Sequence, residues 1–138
     1  MSTQLSAQFR LKLLRVARQS LEYFLVNGER IQFQTENPVL LEKRAVFVTL
    51  RNRGNRDLRG CIGQSKPRYP LIEAVAKTAI SSAVDDTRFP SLTLDELPDL
   101  LIEINMLSPL DPSKPEDVKI GKHGLMINKG LKLSLIHI

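Results

Sequence analysis

The chain has 138 residues, 42% hydrophobic and 25% charged, a length and balance that fit one folded domain and exclude a wholly disordered chain. No stretch approaches the roughly 20 consecutive apolar residues of a membrane-spanning helix, and Met1-Ser2-Thr3-Gln4 lacks the charged-then-apolar order of a signal peptide, so a cytoplasmic protein without membrane contact is expected. The single cysteine, Cys61, excludes an intrachain disulfide and a thiol-cluster zinc site, both of which need more thiols.

Charge is unevenly spread. Residues 1–70 hold 13 Lys/Arg against 5 Asp/Glu, and residues 71–138 hold 7 against 10. A basic block over 43–68 contains Lys43, Arg44, Arg51, Arg53, Arg56, Arg59, Lys66 and Arg68 against Asp57 alone. Such a block suits phosphate-bearing partners, whose binding releases counterions; a solvated hairpin turn is the plainer alternative.

In chain order, Phe9, Leu13, Val16, Leu21, Phe24 and Leu25 recur at three- and four-residue steps and predict an amphipathic helix over 6–26. Gly28 ends it, because glycine takes the left-handed conformation that closes helices. Arg30 to Asn37 reads as a polar connector up to Pro38. Residues 44–50, β-branched and aromatic, predict a strand, and the Gly- and Asn-containing turn of 51–57 returns it as a second strand over 58–63. Leu71, Ile72, Val75, Ala76, Ala79, Ile80 and Ala83 form the apolar face of a second helix, started near Pro70 and stopped at Asp85-Asp86. Thr93-Leu94-Asp95-Glu96 has the order of a capping box, predicting a short helical turn before Pro98. Residues 101–107 alternate as a strand with one wet face, 108–115 form a Pro-rich loop, and 124–128 with 131–138 form a closing hairpin. With no regular strand-helix alternation, the class is α+β, a mainly antiparallel sheet flanked by helices.

The unusual segment is Leu58-Arg59-Gly60-Cys61-Ile62-Gly63. Gly60 and Gly63 let another group approach the backbone N–H donors. Arg59 offers a fork matched to phosphate or carboxylate, and a guanidinium beside Cys61 favours thiolate over thiol. Cys61 is thus a candidate nucleophile or adduct site; a buried packing cysteine is the other reading. Its candidate proton carriers are His123, in the Gly121-Lys122-His123-Gly124 turn, and Asp86. No histidines or carboxylates show metal-ligand spacing, so no metal and no cofactor are expected. Asp85-Asp86-Thr87-Arg88-Phe89-Pro90 puts carboxylates at a helix C-terminus, where the dipole disfavours them: either a local Asp-Arg cap that stabilises the loop or a rim that orients Arg88 or a basic ligand. Glu103 faces solvent on the strand alternation; facing inward, it would need Arg59 or Arg88 as its partner.

Residues 45–50, Leu-Arg-Gly-Cys-Ile-Gly over 58–63, Asp86-Thr87-Arg88-Phe89-Pro90 and Lys122-His123-Gly124-Leu125 together resemble the AMMECR domain family, whose prokaryotic members are called AmmeMemoRadiSam system protein A. The resemblance runs from about Leu13 to Lys132. It implies an α+β fold whose signature lines a cleft, with Arg59, Gly60, Cys61, Ile62 and Gly63 as one cluster and Asp86, Arg88 and Phe89 as a second. It also implies work beside a Memo-type and a radical S-adenosylmethionine protein. Three roles follow: a binding or accessory domain for a phosphate-bearing ligand such as a nucleotide or RNA, held by Arg59 and the Gly60 and Gly63 backbone; a cysteine-dependent enzyme using Cys61; or a protein–protein scaffold. After Lys132 the chain departs from the family's Gly-Leu-Leu-Leu-Pro-Gln continuation. Residues 1–132 are therefore read as the AMMECR-type domain, truncated at its C-terminal side, and 133–138 as a non-native tail in which His137 has no role.

Overall fold

The computed structural model describes residues 7–107, 124–129 and 132–137. The helical periodicity of the first segment forms α1, Ala7–Asn27. Leu13, Val16 and Leu21 are buried, with Phe9, Phe24 and Leu25 packed against the same core. Gly28 closes α1 at φ +73°. A helical turn absent from the sequence reading, α2, Pro38–Leu41, follows. Asn37 starts it, its side chain accepting the Val39 N–H at 2.9 Å, with Pro38 in the first turn, where its missing N–H has no partner to lose.

Strands β1, Val46–Asn52, and β2, Leu58–Gly63, form the expected hairpin. In its turn the residue at positive φ is Arg56, at 63°, rather than Gly54. Helix α3, Leu71–Val84, then crosses to a 3-10 turn, Leu94–Asp99, and β3, Leu100–Met106. Glu96 accepts the Thr93 N–H at 2.7 Å, completing the capping box, but Pro98 lies inside the turn rather than after it. The sheet order is β2-β1-β3 with both pairings antiparallel, which makes the domain α+β. Strands β4, Gly124–Lys129, and β5, Lys132–His137, pair as a separate antiparallel hairpin.

Strand alternation decides which side chains reach the helices. Val46, Val48 and Leu50 of β1 are buried with Leu71, Val75 and Ala79 of α3 and Leu21 of α1. Their β3 partners Met106, Ile104 and Ile102 pack on that core. At one end of it, Arg18 of α1 donates to the carbonyls of Leu97 at 2.9 Å and Leu100 at 2.6 Å, tying α1 to the turn that feeds β3.

Candidate functional site

Gly60 lies where α3 presses on β2. A Cβ there would stand 2.1 Å from the Ser82 carbonyl oxygen, so the glycine is set by the approach of a helix backbone. Ser82, fully buried, accepts the Ile62 N–H at 3.0 Å and donates to the Val48 carbonyl at 2.8 Å. The space beside Gly63 is filled by Phe47, with a Cβ meeting its ring carbon at 2.2 Å and its Cα at 2.6 Å. The open room that two glycines suggest is occupied by the protein itself. Ser82 was not among the sequence candidates; its one signal is a hydroxyl which, with that of Thr78, lies among the apolar residues of the buried face of α3.

Because Gly60 faces α3, alternation turns Cys61 to the opposite face of the sheet. There it pairs with Thr49, which pairs in turn with Glu103. The half-buried thiol Sγ lies 3.2 Å from Thr49 Oγ1. The Cys61 backbone belongs to the free edge of β2. Its N–H donates to Asp86 Oδ2 at 2.9 Å, and its carbonyl accepts from Arg88 Nη2 at 3.4 Å. An acidic and a basic side chain thus offer residue 61 the acceptor and donor that a neighbouring strand would supply, blocking edge pairing there.

Asp86, 8% exposed, accepts four hydrogen bonds: the Cys61 N–H, the Arg88 N–H at 3.2 Å, and Arg88 Nε and Nη2 at 3.0 and 2.8 Å. The Arg88 side-chain bonds hold its carboxyl well below the usual carboxylate range; burial opposes them, and the two N–H groups reinforce them. With both oxygens so engaged, Asp86 acts as a clamp and is not placed to carry protons. Arg88 is 57% exposed, its guanidinium 5.4 Å from the half-buried Phe89 ring. The sequence offered a local Asp-Arg cap or a rim that orients Arg88; the arrangement is a local pair that also clamps β2 from a distance.

Arg59 points its fork at Glu96, Nε to Oε1 at 3.0 Å and Nη2 to Oε2 at 3.2 Å. Those bonds, Arg59 first, hold the Glu96 carboxyl below its ordinary value. Arg59 Nη1 is buried with no partner among the described residues. Glu103 does face solvent, and its cation is Arg51 at 3.0 Å, neither Arg59 nor Arg88. The basic block is therefore partly neutralised: Arg44, Arg51 and Arg59 each have a carboxylate partner. Lys43, Lys66 and Arg68 are exposed and form no ion pair among the described residues. His123 lies outside the described residues. No three His, Cys, Asp or Glu among the described residues stand together as metal ligands, and none of the described helices is long and apolar enough to cross a membrane.

The AMMECR1 family model matches residues 14–136. The chain belongs to the AMMECR1 family. The Pyrococcus horikoshii protein PH0010 is 42% identical, over 90% of this chain and 65% of its own. A Methanocaldococcus jannaschii protein, MJ0810, is 38% identical over 89% and 64%. The crystal structure of PH0010, described as uncharacterised, superposes with a TM-score of 0.81 at 43% identity, covering 91% of this chain and 66% of that one. The chain thus spans slightly under two thirds of the length of these AMMECR1 relatives. The match at this identity also supports the α+β architecture as the family's own.

Proposed function

We propose that this AMMECR1 domain binds a phosphate-bearing ligand of the nucleotide or RNA class along the free edge of β2, as an accessory component beside Memo-type and radical S-adenosylmethionine proteins. The observation that carries this reading is Arg88: its Nε and Nη2 are locked on Asp86, its side chain is 57% exposed, and its Nη1 has no partner among the described residues. Arg59 is locked in the same way on Glu96, with its Nη1 buried. A guanidinium oriented in advance loses little entropy when it meets a phosphate oxygen. Because the two carboxylates cancel most of the local charge, the long-range attraction comes from Lys43, Lys66 and Arg68.

Titration calorimetry with nucleoside triphosphates and with a short single-stranded RNA tests it. Binding of either is expected, weakening with salt at a slope of about −0.7 per phosphate contacted, and Arg88→Ala is expected to lower affinity and shrink that slope by about one such step. No binding of any of these, or binding indifferent to salt and to Arg88→Ala, would contradict the proposal.

A second reading, in which Cys61 is a nucleophile or adduct thiol, is favoured by one feature, the Thr49 hydroxyl at 3.2 Å from Sγ, a donor suited to a thiolate. Cys61→Ser separates the two: binding survives on the first reading, and biological activity is lost on the second.

A further inference from the structure

A phosphate oxygen accepts from a guanidinium in its plane, along the N–H bonds, and leaves the two flat faces unused. At Arg88 those faces are held in place. Nε and Nη2 donate to Asp86 at 3.0 and 2.8 Å, Nη2 also reaches the Cys61 carbonyl at 3.4 Å, and the Arg88 N–H is tied to Asp86 at 3.2 Å. The Phe89 ring stands 5.4 Å from the guanidinium carbon, the aromatic support that planar arginines favour. Phe89 is half-buried, whereas the Arg88 side chain is 57% exposed. A flat cation is thus pinned along one edge, backed by a ring and open to solvent beside the free edge of β2.

Nucleobases stack on such arginine planes. Asp85, exposed and without an ion pair among the described residues, offsets part of the local charge, so charge alone selects little here and the stacking face does the selecting. The aromatic residues set how many bases are held. The chain has five phenylalanines, two tyrosines and no tryptophan. Phe9, Phe24, Phe33 and Tyr69 pack against the core, the Phe47 ring fills the space beside Gly63, and Tyr23 is on α1. Proteins that hold a nucleic-acid strand line up successive stacking side chains, one for each base; the β2 edge has the Arg88–Phe89 platform, which serves one base.

We infer that the β2 edge takes a single nucleotide, its base stacked on the Arg88 face that Phe89 backs and a phosphate oxygen accepting from Arg88 Nη1 in the plane of the same guanidinium, an assignment that rests on the phosphate reading above and narrows it from nucleotides and RNA in general to a mononucleotide. Arg88 then contributes its face as well as its charge. Phe89 is a positioning residue: it supports the guanidinium and does not touch the ligand.

Titration calorimetry on the whole chain with ATP, inorganic tripolyphosphate and a short oligoadenylate, all at one salt concentration, tests it. Tripolyphosphate carries the phosphates without a base. ATP is expected to bind about tenfold or more tighter than tripolyphosphate, within the range for one stacked base. In Arg88→Lys, which keeps the charge and loses the plane, the ratio of the two affinities should fall to about one. Phe89→Leu, which keeps every Arg88 donor, should lower that ratio severalfold, whereas a Phe89 that serves only to fold the loop would leave it unchanged. ATP and tripolyphosphate binding equally well to the native protein, or a ratio unchanged in both variants, would overturn the stacked base and leave the phosphate reading standing. Binding of none of the three would remove both. An oligoadenylate more than about tenfold tighter than ATP, beyond what repeated copies of one base explain, would overturn the assignment to a single nucleotide.

Discussion

Gly60→Ala is expected to destabilise the domain by about 3 kcal/mol or more, the upper end for overpacking a closely fitted site, lowering the thermal midpoint by roughly 10 °C. The added Cβ would sit 2.1 Å from the Ser82 carbonyl oxygen and 3.1 Å from its carbon. That oxygen belongs to the backbone of α3, so relief requires moving a helix whose Val75 and Ala79 are fully buried. The movement would also pull the Ser82 hydroxyl from the Ile62 N–H and the Val48 carbonyl. Gly54→Ala is the control. A Cβ there meets only the tip of the Asn52 side chain at 3.3 Å, and its effect should stay within about 0.5 kcal/mol, as at ordinary surface positions. Urea unfolding of both variants measures the contrast; a Gly60→Ala protein as stable as the Gly54→Ala protein would contradict the packing account.

Asp86→Asn is expected to cost about 2 kcal/mol at pH 7, within the range for hydrogen bonds to a charged group. It would also loosen Arg88 and uncover the Cys61 edge of β2, raising the tendency to associate through that edge. The loss should depend on pH. An unfolded aspartate titrates near about pH 4, and in the fold Asp86 titrates lower because Arg88 holds it ionised. The stability it confers is therefore complete above the unfolded value and fades as pH falls through it toward the folded one. The gap between native protein and Asp86→Asn should be full at pH 7 and clearly narrower at pH 3. Urea unfolding at both values checks this, and a gap independent of pH would show that Asp86 acts through packing alone.

These two residues also mark where sequence reasoning stops. Elements set by local pattern were legible: the three- and four-step apolar recurrence of α1 and α3, the alternation of β1 and β3, the glycine that ends α1, and the capping box at Thr93. Their limits moved by one or two residues, β1 running from Val46 to Asn52 rather than over 44–50. The partners of the residues singled out on β2 and after α3 were not legible. Arg59 with Glu96, Arg51 with Glu103, and Asp86 with the Cys61 N–H join distant parts of the chain, and residue type alone does not say which carboxylate a guanidinium will find. The glycines showed the same limit. Gly60 announces that something comes close; only the register of β2 against α3 identifies it as the Ser82 carbonyl. The short α2 escaped because Asn37-Pro38 reads equally as a turn, and its one-turn length gives periodicity nothing to repeat.

The central claim is that the β2 edge around Cys61 and Arg88 receives a phosphate-bearing ligand. The most direct measurement is the rate of Cys61 alkylation by iodoacetamide with and without saturating nucleoside triphosphate or single-stranded RNA, on the native protein and on Arg88→Ala. The account predicts that the half-buried thiol reacts in the folded protein, is slowed severalfold by one of these ligands, and loses that protection in Arg88→Ala. A thiol that reacts at the same rate whatever phosphate compound is present would contradict it.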